Sequence, residues 1–178
     1  SGFYYVDYTS NSIFKEHLTD GFTMEILCKP NMYYQNYWAT PFSLSTCRVH
    51  HNQIENNNKL TWSLVASAAE NDWVNTGIFK NWFFGYFSPV IVNAYQHVVL
   101  TYDGVNSWAM IVNGQKNGPW LNNTALNPGN ALAIGGIAYT GGRAARLFCG
   151  EVAIARMYDS AKSVDEVAAR YNELKPLI

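Results

Sequence analysis

A chain of 178 residues with 12 basic and 13 acidic side chains carries a formal net charge of −1, which leaves no basic surface for the phosphate backbone of a nucleic acid. Aromatic residues make up 15% of the chain and charged residues only 14%, so we expect residues 1–178 to form one domain with a sizeable core. The apolar runs are about as long as a strand, which argues against insertion into a membrane.

The start of the chain predicts two strands with a polar segment between them. Phe3 to Tyr8 is dense in aromatic residues, as strands often are. Ile13 to Leu18 could form a short helix, and the sequence leaves this open. Phe22 to Lys29 alternates as a half-buried strand does and ends at Pro30, because proline cannot donate to a sheet. One face of this strand is expected to carry Phe22, Met24, Ile26 and Cys28.

Three further strands are predicted in the next third of the chain. Trp38 to Val49 reads as one strand, and Leu60 to Ser67 and Gly77 to Phe87 read as a strand pair. The polar segments Asn52 to Lys59 and Ala68 to Thr76 are predicted to be loops.

The centre of the chain predicts a three-stranded antiparallel meander. His97 to Tyr102 and Trp108 to Val112 are apolar runs separated by a turn that begins at Asp103-Gly104. Asn113-Gly114 readily accepts the two positive φ angles of a type I′ turn, so the chain should reverse again from Gln115. Such strands need a second layer over their apolar face, and the rest of the chain must supply it.

The last third predicts loops, one long strand and a terminal helix. Trp120 to Asn130 and Tyr139 to Arg143 carry loop signals, and Ala131 to Ile134 is a short strand between them. Leu147 to Tyr158 is the long strand. Strict alternation puts Val152, Ile154 and Arg156 on one face of it and Glu151, Ala153, Ala155 and Met157 on the other.

The terminal helix is predicted from a capping box, Ser163-Val164-Asp165-Glu166, and is closed by Pro176. Its apolar stripe at helical spacing is Val164, Val167, Ala168, Tyr171 and Leu174.

Four motifs in one order identify a family resemblance. They are Asp20 to Glu25, Tyr95 to Gly104 followed by Ile111 to Gly114, Leu132 to Gly136, and Phe148 to Tyr158 before the helix. In this order they resemble the laminin-G-like members of the concanavalin A-like lectin and glucanase superfamily. The resemblance implies an all-β, two-sheet antiparallel sandwich of the jelly-roll type, with the first and last strands adjacent and a short C-terminal helix.

The resemblance also bears on cellular context. It looks closest to bacterial domains that sit beside a hydrolase in exported proteins, which implies an extracellular or cell-surface location. Because the chain begins with Ser1-Gly2 rather than Met, we expect it to be a piece excised from a larger exported protein.

Catalysis is not expected from the carboxylates. Glycosidases of the superfamily carry a pair of acids on one strand, and glycoside hydrolysis needs such a pair. Glu25 is followed on its face by Leu27 and Lys29, and Glu151 is followed by alanines, so neither has a partner on its strand. The sequence therefore predicts no catalytic residue, and a hydrolase would require acids from separate strands to converge.

Histidine and cysteine give no metal site of recognisable spacing. His50 and His51 would point to opposite faces of a strand, and His97 matches a family position where a structural hydrogen bond is the ordinary role. The three cysteines, Cys28, Cys47 and Cys149, form no zinc motif, and whether one pair bridges stays open. Calcium is the one cofactor left open, because some relatives bind it at the rim, and its candidates here are Asn71, Asp72 and Asn75.

Aromatic rings in the predicted loops suggest a glycan site. Sugar rings stack on Trp and Tyr and bond to polar neighbours, and a site of this kind combines both on exposed loops. The candidates are Tyr33, Tyr34, Tyr37, Trp73, Trp120, Tyr139 and Arg143. Each ring could instead fill the core.

The sequence thus favours a non-catalytic, lectin-like module whose partner is a glycan. The alternative is an accessory domain that packs on and positions an attached catalytic domain, and a glycoside hydrolase is the third possibility.

Overall fold

Two antiparallel sheets pack face to face, and a C-terminal helix covers the outer side of one of them. The structure is a computed structural model that describes residues 3–31, 39–44, 47–52, 61–67, 82–121, 126, 129–139, 143–145 and 147–178. The two-sheet antiparallel β-sandwich predicted from the family resemblance is confirmed.

The structure contains thirteen strands and two α-helices in its described residues. The strands are β1 (Tyr4–Asp7), β2 (Phe22–Pro30), β3 (Ala39–Leu44), β4 (Cys47–Asn52), β5 (Thr61–Ser67), β6 (Trp82–Pro89), β7 (Gln96–Tyr102), β8 (Ser107–Val112), β9 (Gln115–Leu121), β10 (Ala131–Ile134), β11 (Ile137–Tyr139), β12 (Arg143–Ala145) and β13 (Gly150–Tyr158). The helices are α1 (Ser12–Thr19) and α2 (Val164–Leu174), the latter followed by a 3₁₀ turn at Lys175–Leu177.

The strands form two large sheets and one small hairpin. The six-stranded sheet has the order β1-β10-β3-β4-β5-β6, and the five-stranded sheet has the order β13-β2-β7-β8-β9. β11 and β12 pair with each other, and β11 lies against β10 and β3. All pairings are antiparallel, which is the pattern expected of a sandwich.

The main core lies between the two sheets. β2 contributes the four alternating residues predicted for its inner face, and all of them belong to one buried cluster: Phe22, Met24, Ile26 and Cys28. From the opposite sheet, Phe42, Leu44 and Trp62 join the same cluster. The Trp62 indole donates to the Gln96 side chain at 3.2 Å, so a buried polar pair also links the two sheets.

The predicted meander is confirmed as β7, β8 and β9, which are neighbours in the five-stranded sheet. Asn113 and Gly114 have φ angles of 51° and 77°, as the type I′ turn requires. In the preceding turn, the Asp103 carboxylate accepts hydrogen bonds from the backbone N–H groups of Val105, Asn106 and Ser107, each at 2.9 Å. Asp103 therefore stabilises the turn itself.

Two predictions about strand order are wrong. Trp38 to Val49 is divided into β3 and β4, which pair with each other. The two residues between them, Ser45 and Thr46, include no Gly, Asn, Asp or Pro, so the sequence carries only a weak turn signal there. The first strand is also not adjacent to the last, because β1 pairs with β10 while β13 pairs with β2.

The predicted faces of the last strand are wrong because β13 contains a bulge. Its register with β2 shifts between Val152 and Ile154, so one extra residue interrupts the alternation. As a result Val152 packs on the main core together with Ala155 and Met157, whereas strict alternation had placed it on the opposite face.

The two helices agree with the sequence. The undecided segment around Ile13 is α1, and the Asn11 side chain caps it by accepting from the Phe14 N–H at 3.0 Å. At α2, the Glu166 N–H donates to the Ser163 hydroxyl at 3.2 Å, and the Ser163 N–H donates to the Glu166 carboxylate at 2.8 Å. The predicted capping box is confirmed.

Replacing Ser163 with alanine tests the cap of α2. We expect Ser163→Ala to lower the free energy of unfolding by about 1 kcal/mol, because the Glu166 N–H loses its acceptor. Urea denaturation measures this. Ser160→Ala is the matched control: Ser160 is exposed and takes part through its backbone carbonyl, which accepts from the Thr23 hydroxyl and survives the change. Equal losses in the two variants would contradict the role of the cap.

None of the described helices is long and apolar enough to cross a membrane.

Candidate functional site

A buried carboxylate lies between the five-stranded sheet and α2. Glu25 is in the middle of β2, on the face opposite the main core, and its side chain is only 2% exposed. The side chains around it are His97 from β7, Arg156 and Tyr158 from β13, and Arg170 from α2. These five residues are called the Glu25 cluster below.

Both carboxylate oxygens of Glu25 have partners. The Tyr158 hydroxyl donates to Oε2 at 2.6 Å, and Arg156 Nη1 lies 3.5 Å from the same oxygen. Arg170 Nε donates to Oε1 at 3.1 Å, and His97 Nε2 also lies 3.1 Å from Oε1. One carboxylate thus joins three elements, and every partner is a group that can donate a hydrogen bond.

The cluster fastens α2 to the sheet together with an apolar contact. Val167 of α2 packs on Val99 and Ile111 in a small buried cluster on the outer face of the sheet. The ring of Tyr171 stacks on His97, with ring centres 6.1 Å apart. The Glu25 cluster and the apolar cluster around Val167 both contact α2, so the helix is held by charged and by apolar contacts.

A cavity of about 300 Å³ opens beside the Glu25 cluster. Charged side chains of the helix and of the segment before it line the cavity, and they are Lys162, Glu166, Arg170 and Glu173. Each of them already pairs within the chain: Lys162 with Glu166 at 3.3 Å, and Arg170 with Glu173 at 2.7 Å. The lining charges are therefore engaged with one another.

The surroundings of Glu25 fix its charge. Burial alone would raise the pKa of Glu25, but hydrogen bonds from His97, Tyr158 and Arg170 and the charge of His97 outweigh it and lower this pKa from 4.5 to about 2. A carboxylate that stays ionised at neutral pH and whose oxygens are both occupied is poorly suited to general acid or base catalysis. Its chemistry is that of an anchor for α2.

The depressed pKa predicts a stability change in acid. Because the folded-state pKa of about 2 lies below the unfolded value near 4.5, the contribution of Glu25 is fully present above pH 4.5 and is lost as the pH falls toward 2. The loss should be about 3 kcal/mol. Urea denaturation between pH 2.5 and 6, compared with Glu25→Gln, isolates this contribution. Parallel pH profiles for the two proteins would contradict it.

Two of the predicted glycan residues are brought together. Tyr139 ends β11 and Arg143 begins β12, and the two are direct partners in this antiparallel pair. The sequence had placed both in one loop, whereas the structure puts them at the ends of strands that flank residues 140–142. The two positions are thus paired across the base of a hairpin.

Trp120 is not on a loop. β9 extends to Leu121, and Trp120 is the cross-strand partner of Trp108, which is 1% exposed and belongs to the main core. Cross-strand partners lie on the same face of a sheet, so position 120 is on the core-facing side of the edge strand β9.

The remaining glycan candidates and the calcium candidates lie outside the described residues: Tyr33, Tyr34, Tyr37, Asn71, Asp72, Trp73 and Asn75. Their roles stay predictions. Within the described ranges, no three His, Cys, Asp or Glu side chains are grouped so that they could hold a metal ion. Cys28 and Cys149 are free thiols, and burial raises the pKa of Cys28.

A laminin-G-type family model, described as the concanavalin A-like lectin/glucanases superfamily, matches residues 4–168. The chain belongs to this superfamily. No curated protein sequence matches this chain significantly.

Solved structures of other proteins share the β-sandwich fold of this chain. The CBM40 of the Ruminococcus gnavus IT-sialidase, bound to alpha2,3 sialyllactose, has a TM-score of 0.64 and 13% identity, over 93% of this chain and 90% of that chain. Domain 4 of AbnA, a GH43 extracellular arabinanase from Geobacillus stearothermophilus, in complex with arabinotriose, has a TM-score of 0.56 and 14% identity, over 84% of this chain and 66% of that chain.

A third similar structure is the binding domain of botulinum neurotoxin DC in complex with rat synaptotagmin II, with a TM-score of 0.66 and 11% identity over 98% of this chain. This chain spans only 41% of the length of that toxin chain. At these identities the likeness shows the fold.

The sequence did not identify the Glu25 cluster. It treated Glu25 as an acid without a second carboxylate, and only the structural hydrogen bond expected of His97 is confirmed. Two signals were available in the sequence. Glu25 is a charged residue inside an apolar strand, and a buried charge needs a partner. The terminal helix is amphipathic, so its apolar stripe must cover the face of a sheet.

Proposed function

We propose that this domain is a non-catalytic carbohydrate-binding module. The observation that carries the proposal is the direct pairing of Tyr139 with Arg143 across the β11–β12 hairpin, since glycan sites combine a stacking ring with a polar or charged donor. Two similar domains of the same fold, the sialidase CBM40 and domain 4 of the arabinanase, were solved with bound oligosaccharides.

The state of the acids supports a binding role over catalysis. Glycoside hydrolysis needs one carboxyl group that can donate a proton and a second that acts as base or nucleophile. Glu25 stays ionised and is held by three elements, and Glu151 is paired with Lys29 and accepts from the Tyr95 hydroxyl. Both acids are engaged in structural contacts, so neither offers the free carboxyl group that glycoside hydrolysis needs.

A glycan array tests the proposal. The domain is screened with and without calcium, and any bound glycan is titrated against Tyr139→Ala and Arg143→Gln. We expect either change to weaken binding at least tenfold, because one removes the stacking ring and the other the guanidinium. Tyr95→Ala is the matched control, since Tyr95 is a partly exposed ring that bonds to Glu151 on the other sheet. A blank array in both conditions would overturn the proposal.

The second candidate function is an accessory domain that packs on an attached catalytic domain, and β1 favours it. All four residues of β1 are exposed, with Tyr4 at 71% and Val6 at 61%, and β1 is an edge strand of its sheet. Beside it a groove of about 420 Å³ is bordered by Tyr4, Ile134, Phe148 and residues of β13. Large exposed apolar side chains grouped at one edge are typical of an interaction surface.

Footprinting distinguishes this second function. Hydroxyl-radical labelling of Tyr4 and Tyr5 is compared between the isolated domain and the full-length parent protein. Protection of both tyrosines in the parent protein supports packing on a neighbour. Equal labelling in the two samples argues against it.

We further propose that the parent protein is exported by a bacterium, as the extracellular arabinanase is, and fractionation of cells and medium tests this.

A further inference from the structure

Strand β1 extends beyond the edge of the opposite sheet. The two sheets are aligned at their other edge, where β6 lies close to β9, and further in, where β3 lies close to β2. Counted from there in the order of each sheet, β13 faces β10, which is the neighbour of β1. Among the described residues, β1 therefore has no strand opposite its inner face.

The side chains on this inner face of β1 are exposed. Tyr4 pairs with Ile134 of β10 and Val6 pairs with Leu132. Both β10 residues pack on the main core, and cross-strand partners share a face, so Tyr4 and Val6 are on the core-facing side. Tyr4 is nevertheless 71% exposed and Val6 61% exposed. In a sandwich the second sheet covers such residues, and here the five-stranded sheet ends one strand too early to do so.

The edge strand beside this face, β13, offers a main-chain donor. The Cys149 carbonyl accepts from the N–H of Asn31, which directly follows β2, at 3.1 Å. The Gly150 N–H belongs to the same trans peptide, so it points the opposite way, out of the sheet edge. Gly150 pairs with Pro30, which has no N–H, so this pair cannot exchange two hydrogen bonds. Among the described strands, none lies on that side of β13.

The groove between β1 and β13 is lined by apolar side chains and main-chain groups. It has a volume of about 420 Å³, and Ile134, Phe148, Val152 and Ala155 are among the eight residues that line it. Of these eight, Tyr4 alone has a polar side-chain atom, and none carries a charge at neutral pH. A ligand that fits must therefore bury apolar groups and bond to a protein backbone.

We propose that this groove binds an extended segment of a partner polypeptide, which pairs with β13 as a sixth strand of its sheet and covers the inner face of β1. The main chain of the segment bonds to the free edge, and apolar side chains at every second position contact Tyr4 and Val6. The inference rests on the second candidate function, the packing of this domain on an attached one, and adds the form of the contact.

The geometry of β13 sets the length of the segment and the site of pairing. Gly150 to Ala155 spans about 17 Å, which corresponds to a segment of about six residues. The β-bulge between Val152 and Ile154 interrupts regular pairing, so the Gly150 N–H, before the bulge, is the group that reports on the added strand.

Titration with model peptides tests the proposal. The probe is a fluorescent peptide, Lys-Val-Thr-Val-Thr-Val-Thr-Lys, which is apolar at alternate positions. One control has the same composition in the order Val-Val-Val-Thr-Thr-Thr between the lysines, and the other has proline in place of the second valine. We expect fluorescence anisotropy to show that the alternating peptide binds at least tenfold more tightly than either control. Hydrogen exchange of the Gly150 N–H should slow at least tenfold in the complex.

Substitutions on the two faces of β1 locate the binding site. Tyr4→Lys combined with Val6→Lys places charges on the inner face, as natural edge strands do to prevent pairing, and should weaken peptide binding at least tenfold. Tyr5→Lys is the matched control. Tyr5 is 46% exposed, but it pairs with Ala133 of the separate outer cluster, so its substitution should leave binding unchanged. Thermal unfolding of each variant checks that it remains folded.

The outcomes separate strand addition from the accessory function. If the three peptides bind equally, or if Tyr5→Lys weakens binding as much as the inner-face variant, strand addition is overturned. If no peptide binds but Tyr4 and Tyr5 are protected from labelling in the parent protein, the accessory function stands and strand addition is overturned. If no peptide binds and the labelling is unchanged, both proposals are overturned.

Discussion

Glu25→Ala is expected to lower the free energy of unfolding by about 3–5 kcal/mol, the range for removing one member of a buried ion pair. The change leaves His97 Nε2, the Tyr158 hydroxyl and Arg170 Nε without their acceptor, while Arg170 Nη1 keeps its bond to Glu173. His97 is 0% exposed and its Nδ1 has no partner among the described residues, so loss of the Nε2 acceptor leaves a buried ring without a hydrogen bond. Urea denaturation at pH 7 measures the loss.

A matched acid on the neighbouring strand provides the control. Glu151 of β13 also pairs with a cation, Lys29 at 2.6 Å, but its side chain is 50% exposed. Glu151→Ala should therefore cost much less than Glu25→Ala, because solvent screens an exposed pair. If the two alanine variants lose the same stability, Glu25 does not anchor the helix in the way its contacts indicate.

The helix itself offers a second readout. Arg170→Met removes the helix side of the cluster and leaves Tyr158, Arg156 and His97 in place around Glu25. We expect a smaller loss than for Glu25→Ala, accompanied by faster amide hydrogen exchange in α2. If Arg170→Met instead loosened the whole sandwich, amide exchange would rise in β2 and β7 as well. The exchange pattern therefore separates detachment of the helix from general destabilisation.

Elements whose signals are local could be predicted from the sequence. The turn at Asn113-Gly114 needs two residues that accept positive φ, and the cap of α2 needs a hydroxyl three residues before a glutamate. Both requirements are met within four consecutive residues, so no distant part of the chain has to be known. The same locality explains why the connection between β3 and β4 was missed, since Ser45-Thr46 carries no such signal.

The Glu25 cluster could not be predicted because its parts are distant in sequence. His97 and Arg170 lie 72 and 145 positions from Glu25, and no spacing rule connects them. The predicted face of Val152 was wrong for a related reason. Alternation assumes two residues per repeat, and one inserted residue reverses every face that follows it.

Two Asp-Gly dipeptides show the same limit. In the sequence, Asp20-Gly21 and Asp103-Gly104 are separate turn signals. In the structure they lie against each other, because β2 begins where β7 ends and Phe22 pairs with Tyr102. A Cβ on Gly21 would lie 3.0 Å from the Tyr102 carbonyl oxygen, and a Cβ on Gly104 would overlap the carbonyl of Asp20. The two glycines allow the backbones of two turns to approach closely.

Gly104→Ala is therefore expected to lower the free energy of unfolding by about 2–5 kcal/mol. Part of the loss comes from its φ of 84°, which costs an L-residue about 1–2 kcal/mol, and part from the overlap with Asp20, for which overpacking of this kind costs about 1–3 kcal/mol. Guanidinium denaturation measures the loss. Moving either turn to relieve the overlap would also disturb the first pair of the β2–β7 ladder.

Gly118→Ala separates the two contributions. Gly118 has a φ of 107° but is exposed on the edge strand β9, so its substitution carries the backbone cost without burial against another turn. Gly104→Ala should exceed it by at least about 1 kcal/mol. Gly104→Asn should recover little, since Asn tolerates positive φ better than Ala but still bears the Cβ that meets Asp20. Equal losses at the two glycines would mean that backbone conformation alone, and not the contact between the two turns, requires glycine at position 104.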